Sequence, residues 1–497
     1  MDHYTITALS IQVGESETER RFVWLQSPEH TGACVQLAPL AAYERDGGFT
    51  AENSRTVLGT VTPVCGREEP FVSCKVRVKE LTEGTEYIYR VGCDAGFAEG
   101  TYRFRMPAGL AERQSFFMIS DLHINVYRRP LNEWDPNGTK ALARYENTLK
   151  SGIAFGDTPP AFFLSIGDNI SCCNMGASMF PEPERFTKKL SADYAFLEHC
   201  EFFSVDTAKS LPFASVLGNH DDVALTAGSE PIGDLTNAFY DLPNDDGRSG
   251  HYLDSSCGNF WFKSGELLVV GINAVVSAGG NLAPCGKEVQ RAFIERAVAE
   301  AGDVRWRILL CHVPAYSYVE GAEYRATGTT CGTAGDRTER ARMAEFFHTL
   351  CDPFGFDIVF TGHQHAFSRT YPMLDGRVVG EEARTVERHE GNIVTETLTR
   401  PYGVIHYNVP SAYDHAFFSN LPMEPEAFYP AYGVTEWALK SGLKDEIPNA
   451  DKFRGVTYRS AAYTHVTLAR EGDTDTMTVS SVRSDTGEAF DTLIIRK

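Results

Sequence analysis

Five short apolar runs limit the folds open to this chain. They are SFFMIS (115–120), AFFLSIG (161–167), PFASVLG (212–218), ILLC (308–311) and DIVFTG (357–362). Amphipathic segments such as KEVQRAFIERAVAEA (287–301) and DRTERARMAEFFHTL (336–350) lie between them. Apolar runs of this length that alternate with helical segments are typical of an α/β domain. After about residue 400, strand-like alternation returns in YGVIHYNV, YTHVTLAR and TMTVSSVR, and we expect a closing sheet that packs against the first.

The first part of the chain has a different pattern. Residues 1–106 contain short alternating runs such as RFVWLQ (21–26) and FVSCKVRV (71–78), with turn residues between them. This pattern predicts a β-sandwich. LTEGTEYIYRVG (81–92) and TYRFRMP (101–107) resemble a fibronectin type III domain, in which Tyr87 or Tyr89 would be the tyrosine corner and Trp24 the core tryptophan of the opposite sheet. We predict a boundary between domains 1–108 and 109–497, with a spacer or docking role for the first.

Each apolar run of the second domain leads into side chains that carry nitrogen or oxygen donors. The clusters are Asp121-Leu122-His123, Gly167-Asp168-Asn169, Gly218-Asn219-His220-Asp221, His312, and Gly362-His363-Gln364-His365. Ligands of open α/β sheets gather at the carboxyl ends of the strands, so we expect the clusters to converge. Any one cluster could be an ordinary group of turn or core residues. All five together, each at a strand end, predict a metal site.

The order of these motifs resembles a known family. D-x-H, G-D-x, G-N-H-D, a single His and G-H-x-H follow one another as in the calcineurin-like metallophosphoesterase superfamily. The sequence GHQHAFSRTYP (362–372) and the N-terminal sandwich resemble the purple acid phosphatase branch. The resemblance implies an α/β fold, the α/β/β/α metallophosphoesterase sandwich, preceded by an all-β fibronectin-like sandwich.

The resemblance also implies which residues bind metal. One ion would be held by Asp121, His123 and His365, and a second by Asn219, His312 and His363. Asp168 would bridge the two ions, which such a carboxylate holds roughly 3.5 Å apart. This set mixes nitrogen and oxygen donors and contains no thiolate; the imidazole nitrogens favour two divalent ions of Mn, Fe or Zn over Ca.

Such a site predicts phosphoester hydrolysis. Two cations neutralise an anionic phosphate ester and lower the pKa of the water held between them, so that a metal-bridging hydroxide attacks phosphorus. His220, next to Asn219, is the candidate that contacts the phosphate and protonates the leaving group; the alternative is a simple turn histidine. We expect a phosphomonoesterase. The alternatives are a phosphodiesterase acting on nucleotide or lipid diesters, and a non-catalytic binding module that docks through the N-terminal sandwich.

Three positions depart from the purple acid phosphatase pattern. Ser171 stands where those enzymes have a tyrosine, and His123 occupies a position at which they lack a histidine. The segment HVPAYSYVEGAEY (312–324) has no histidine after His312, unlike plant-type members. We therefore expect no tyrosinate–iron colour and a divalent first metal, and the preference between monoesters and diesters stays open.

Composition limits partners and location. The net charge of −21 argues against a nucleic-acid backbone as partner. It does not forbid the small phosphorylated substrate that the resemblance implies, because bound metals can reverse the local field. No signal peptide or membrane-spanning run is visible, so we expect a cytoplasmic protein whose 12 cysteines, among them Cys172 and Cys173, are thiols. Arg369 either binds a substrate anion or braces its loop.

Overall fold

A computed structural model describes most of the chain. The described residues are 4–64, 70–124, 139–171, 188–218, 220–221, 234–245, 259–273, 275–278, 281–284, 287–314, 345–363, 367–375, 377–380, 383–389, 394–412 and 461–497. None of the helices in these ranges is both long and apolar enough to cross a membrane.

The N-terminal region is a β-sandwich, as predicted. Its elements are β1 (Thr7–Val13), β2 (Arg20–Gln26), β3 (Cys34–Pro39), α1 (Leu40–Asp46), β4 (Arg55–Leu58), β5 (Thr60–Pro63), β6 (Val72–Val78), β7 (Glu86–Cys93), β8 (Gly96–Phe97) and β9 (Tyr102–Arg105). One sheet has the order β1-β2-β6-β5, and the other has the order β4-β3-β7-β8 with β9 beside β7.

The two predicted aromatic landmarks lie on opposite sheets of this sandwich. Trp24 on β2 is fully buried, and Tyr89 on β7 belongs to the same apolar cluster. The hydroxyl of Tyr87 accepts a hydrogen bond from the backbone N–H of Thr82 at 2.9 Å, which is the bonding pattern of a tyrosine corner. Membership of the fibronectin type III class stays a prediction.

The second region supplies the remaining elements. They are β10 (Arg113–Ile119), α2 (Thr139–Ala154), β11 (Pro160–Ser165), α3 (Lys188–Phe202), β12 (Phe213–Ser215), α4 (Asp234–Phe239), β13 (Phe260–Ser264), β14 (Leu267–Gly271), β15 (Val275–Ala278), β16 (Asn281–Pro284), α5 (Lys287–Ala301), β17 (Trp306–Leu310), β18 (Ile358–Thr361), β19 (Ser368–Arg369), β20 (Met373–Leu374), β21 (Arg377–Val378), β22 (Arg384–Arg388), β23 (Val394–Thr399), β24 (Ile405–Asn408), β25 (Ala462–Glu471), β26 (Thr474–Arg483) and β27 (Ala489–Arg496). Residues 345–351 are also helical, and 3-10 turns cover Asp206–Lys209 and Asp352–Phe354.

Two sheets face each other between layers of helices. The second sheet has the order β13-β14-β17-β18-β24-β19 and packs on the first through contacts such as the one between Phe162 and Phe262, whose ring centroids are 5.2 Å apart. Tyr145 of α2 and Phe196 of α3 join the apolar core around the first sheet, and Phe293 of α5 packs against the outer face of the second. The α/β/β/α sandwich predicted from the sequence is therefore confirmed.

The first sheet is larger than expected. Twelve strands follow the order β22-β23-β27-β26-β25-β10-β11-β12-β1-β2-β6-β5. It runs from the second region into the N-terminal sandwich, because β1 pairs in parallel with β12 through Gln12 and Phe213. The boundary at residues 108/109 stays a prediction, although this sheet crosses it.

The expected separate closing sheet is wrong. β25 and β26, which contain YTHVTLAR and TMTVSSVR, extend the first sheet, because β25 pairs antiparallel with β10. β24, from YGVIHYNV, instead pairs in parallel with β18 in the second sheet. Alternation predicts a strand with one buried face, but it does not predict which open sheet edge the strand will join. The antiparallel hairpin β22–β23 forms within 375–399.

Candidate metal centre

The predicted ligands lie at the carboxyl ends of parallel strands from both sheets. In the described part of the chain nine non-glycine residues have positive φ, and four of them are predicted ligands: Asp121 (51°), His123 (49°), Asp168 (55°) and His363 (69°). This conformation costs an L-residue about 1–2 kcal/mol. Strain of this kind is concentrated at functional sites, where the surrounding structure holds it in place.

Two glycines of the motifs, Gly218 and Gly362, lie where a neighbouring segment approaches too closely for a Cβ. A Cβ on Gly218 would lie 2.1 Å from Oδ1 of Asp168. One on Gly362 would lie 2.0 Å from Oγ of Ser120, across from β18 on the end of β10. The glycine of G-H-x-H therefore lets the two sheets bring their strand ends together.

Six predicted site residues come together, and Asp168 is shared between two groups of donors. Donor atoms of His123, Asp168 and His220 lie within 4.8 Å of one another, and so do those of Asp168, His312 and His363. Asp168 is almost fully buried. Asp121 lies beside the second group, with Oδ1 4.0 Å from Nε2 of His312. Two donor groups that share one carboxylate suit two neighbouring cations.

His312 is oriented for metal binding. Its Nδ1 donates a hydrogen bond to the carbonyl of Ile166 at 2.7 Å. The lone pair of Nε2 is therefore the one that can bind a metal. This Nε2 is buried, has no hydrogen-bond partner among the described residues, and lies 3.2 Å from Oδ2 of Asp168. Two ligands of one ion, each about 2.0–2.2 Å from it, are separated by about this distance. These residues fit a shared cation.

Asp121 links the ends of β10 and β18. Its carboxylate accepts hydrogen bonds from the backbone N–H of His363 at 2.9 and 3.0 Å, and one from Oγ of Ser120 at 2.5 Å. Burial raises the pKa of Asp121 to about 7; the charge of His312 opposes the rise and that of Asp168 adds to it. The buried carboxylate is thus poorly stabilised as an anion until a cation is near.

The electrostatics of Asp168 and His312 also point to a need for positive charge. Burial alone would raise the pKa of Asp168, but the charges of His312 and His220 outweigh it and hold that pKa well below its ordinary value. Burial works against a charged His312, yet the nearby carboxylate of Asp168 raises its pKa to about 10. A bound cation would replace this proton as the source of positive charge.

Asp221 is a positioning residue that motif reasoning placed at the site without a role. Its carboxylate accepts backbone N–H bonds from Asp168 and Gly218 (both 2.7 Å), Asn169 (2.8 Å) and Ile170 (3.3 Å). It thereby ties the loop after β11 to the loop after β12. Burial raises its pKa to about 7, and the charge of Asp168 adds to this. The only sequence signal was an acidic residue in a tight turn after a buried strand.

His220 is held by both its backbone and its ring. Its N–H donates to Oδ1 of Asp168 at 2.7 Å, and its Nδ1 donates to the carbonyl of Ser171 at 3.0 Å. The side chain is partly exposed, and its ring lies 4.8 Å from that of His123 at 89°. Nε2 is therefore the ring nitrogen left for a ligand or substrate.

The remaining predictions have mixed outcomes. Asn219, His365, Cys172, Cys173 and residues 315–344 lie outside the described residues. Ser171 is buried, its N–H donates to Glu198 at 2.7 Å, and its hydroxyl has no hydrogen-bond partner among the described residues. Arg369 donates to Asp491 at 2.9 and 3.0 Å and to Glu396 at 2.5 Å, so it braces its loop.

Comparison with known proteins places this geometry in a family. A family model described as calcineurin-like phosphoesterase matches residues 115–367. The chain belongs to the calcineurin-like phosphoesterase family. This range begins in β10 and ends just after the G-H-x-H motif, so it contains all seven predicted metal ligands. Among curated proteins, none matches the sequence.

A solved structure supports the same fold for nearly the whole chain. Purple acid phosphatase PPD1 from yellow lupin (Lupinus luteus) seeds aligns with a TM-score of 0.64 over 99% of this chain and 74% of that chain, at 14% identity. At this identity the likeness shows the fold. The sensor domain of the anti-sigma factor RsgI4 from Pseudobacteroides cellulosolvens aligns with a TM-score of 0.15 at 10% identity, over 21% of this chain and 90% of its own. Vertebrate Astrotactin-2 aligns with a TM-score of 0.16 at 11% identity, over 31% of this chain and 26% of its own. Neither of these two bears on the fold.

Proposed function

We propose that this calcineurin-like phosphoesterase is a dinuclear metal-dependent hydrolase of phosphate monoesters. Asp121, His123 and His365 would hold one divalent ion, and Asn219, His312 and His363 the other, with Asp168 bound to both. The observation that carries the proposal is the position of Asp168 in two groups of donors within 4.8 Å. The nitrogen and oxygen donors suit Mn, Fe or Zn.

The metals and the protein have separate tasks. When bound, two divalent cations would neutralise the phosphate ester and supply a water molecule of lowered pKa as nucleophile. The chain keeps its donors in place beforehand: Ile166 fixes the ring of His312, His363 N–H fixes Asp121, and Asp221 fixes the loop of Asp168. Preorganised donors need no rearrangement when charge develops on the substrate.

His220 is the proposed proton donor to the leaving group. Its Nδ1 proton is committed to the carbonyl of Ser171, so a doubly protonated ring would deliver the other proton from Nε2 to the leaving alkoxide. The backbone N–H of His220 donates to Oδ1 of Asp168 at 2.7 Å, which holds the residue beside the proposed metals. The ring is partly exposed, so a substrate can reach it.

The first experiment measures metal content and p-nitrophenyl phosphate hydrolysis for Asp168→Asn. We expect loss of bound metal together with loss of activity. Asp357→Asn is the matched control, because Asp357 is a partly buried carboxylate that also accepts a backbone hydrogen bond, from the N–H of Arg307 at 2.9 Å, at the opposite end of β18. Full metal content and full activity in Asp168→Asn would refute the proposal.

A phosphodiesterase is the second candidate. It is favoured by Ser171, which offers no phenolate to a metal, and by the absence of histidines in 313–324. The ratio of kcat/KM for p-nitrophenyl phosphate to that for bis-p-nitrophenyl phosphate decides between the two. A higher value for the diester would replace the monoesterase proposal. A metal-loaded protein that hydrolyses neither would instead support a binding module.

A further inference from the structure

A third group of metal-binding side chains lies in the N-terminal sandwich, outside the candidate metal centre. His30, Cys93 and Asp94 each offer one donor atom, and these atoms lie within 4.8 Å of one another. Cys93 is the last residue of β7, Asp94 starts the turn to β8, and His30 lies in the loop between β2 and β3. We propose that these three side chains bind one zinc ion.

The two loops are fixed to each other without any metal. The backbone N–H of Thr31 donates to Oδ1 of Asp94 at 2.9 Å, and its hydroxyl donates to Oδ2 at 2.6 Å. The N–H of Asp94 donates to the carbonyl of Thr31 at 2.9 Å. A carboxylate oxygen that accepts one hydrogen bond keeps a further lone pair for a cation. The donors therefore meet a cation with little loss of conformational freedom.

Cys93 is set up to bind metal as a thiolate. The backbone N–H of Ala95 donates to its Sγ at 3.3 Å, and a hydrogen bond of this kind stabilises negative charge on sulfur. Its proton passes to solvent as the metal–sulfur bond forms.

His30 can complete the set. Its ring packs edge-on against Tyr4, with ring centroids 5.1 Å apart at 90°, which limits its rotation. Its ring nitrogens make no hydrogen bond among the described residues. A thiolate, a carboxylate and a neutral imidazole carry a total charge that a divalent cation balances. Sulfur and nitrogen donors favour zinc over magnesium or calcium, and three protein ligands leave a fourth position for water.

The test uses Co²⁺ as a coloured substitute for Zn²⁺ on the full-length protein. A cobalt–thiolate bond gives a charge-transfer band in the near ultraviolet, whereas the nitrogen and oxygen donors of the dinuclear centre give none. We expect the band in the wild type, its loss in Cys93→Ser, and its bleaching by added Zn²⁺. Cys34→Ser is the matched control, because Cys34 lies on the neighbouring strand, opposite Gly92, and should leave the band unchanged.

His30→Gln gives a second measurement that does not touch the sulfur. Removing one of three ligands should weaken Co²⁺ binding at this site at least about tenfold, read from the titration of the same band. Near-ultraviolet circular dichroism checks the fold of each variant. No band in the wild type, a band that survives Cys93→Ser, or unchanged affinity in His30→Gln would each overturn the proposal. Hydrolysis of p-nitrophenyl phosphate is measured separately, so the outcome is independent of the proposed function.

Discussion

Asp221→Asn tests whether one buried carboxylate holds the two halves of the metal centre in register. Oδ2 of Asp221 accepts the N–H groups of Asp168 and Gly218, and Oδ1 accepts those of Asn169 and Ile170. Asparagine has nearly the same shape but only one accepting oxygen. We expect that oxygen to keep the two 2.7 Å bonds, so the amide nitrogen faces the two remaining donors.

The size of the effect follows from these bonds. Two buried N–H groups lose their acceptor, at about 1–2 kcal/mol each, so the free energy of unfolding should fall by about 2–4 kcal/mol. Domains of ordinary stability unfold at about 5–15 kcal/mol, so the variant should still fold. Asp168 loses part of its support, and removal of such outer contacts lowers metal affinity by about 10–100-fold.

Two assays separate the local effect from the global one. Urea unfolding of metal-free protein, followed by circular dichroism, gives the stability, and competition with a fluorescent chelator gives the metal affinity. Asp357→Asn is again the reference, because it removes a partly buried carboxylate that pairs with Lys497 at 2.6 Å and should lower stability while metal affinity stays unchanged. A wild-type metal affinity in Asp221→Asn, or an equal loss of metal affinity in Asp357→Asn, would contradict a positioning role for Asp221.

Three further substitutions test other parts of the chain. Gly362→Ala places a Cβ 2.0 Å from Oγ of Ser120, which follows β10. Calorimetry should show that the free energy of unfolding falls by about 1–3 kcal/mol, and metal analysis should show a lower metal content. Burial lowers the pKa of His199 to about 4, against about 6.5 in the unfolded chain. The free energy of unfolding should therefore fall as the pH drops from 6.5 toward 4, by about 2 kcal/mol at pH 5. In urea unfolding, His199→Phe should lack this part of the pH dependence. Arg369→Met leaves the buried Asp491 without its cation, although Glu396 keeps its ion pair with Arg384 at 2.7 Å; the free energy of unfolding should fall by about 3–5 kcal/mol, while KM for p-nitrophenyl phosphate stays unchanged.

The strands that carry the site could be predicted because each leaves a local signal. A run such as SFFMIS is apolar on both faces, and all five such runs lead into side chains with nitrogen or oxygen donors. The helix predicted at 287–301 has the bounds of α5, Lys287–Ala301. The glycine before His363 could also be read as a close approach, although only the structure names Ser120 as the neighbour.

Other features leave no local signal. The partner of Asp221 is a set of backbone N–H groups, which every residue type except proline provides, so no sequence pattern marks them. β25 could pair with any sheet edge that no other strand occupies. The alternation of apolar and polar residues in β25 does not predict which edge this is. The parallel pairing of β1 with β12 joins Gln12 to Phe213, which lie far apart in the sequence.

That pairing is reinforced by polar contacts across the predicted domain boundary. Arg77 donates to the carboxylate of Asp241 at 2.7 and 3.0 Å, and Arg21 donates to the carbonyl of Leu242 at 2.6 Å. Gln12 accepts the N–H of Asp241 at 2.8 Å and donates to the carbonyl of Phe239 at the same distance. Domains joined only by a linker rarely share such contacts.

The segment held in this way also reaches the metal centre. Tyr240 follows Phe239 in the chain, and its hydroxyl lies 3.4 Å from Nδ2 of Asn169, the residue after Asp168. The N-terminal sandwich therefore contributes to the scaffold that positions Asp168. A domain that served only to dock a partner would need none of these contacts. Its other sheet, with β4, β3, β7 and β8, also contacts the second region, because the hydroxyl of Tyr89 on β7 donates to the carbonyl of Lys209 at 2.7 Å. The proposed zinc ligands Cys93 and Asp94 lie at the end of β7, so the sandwich can support the metal centre and also bind an ion of its own.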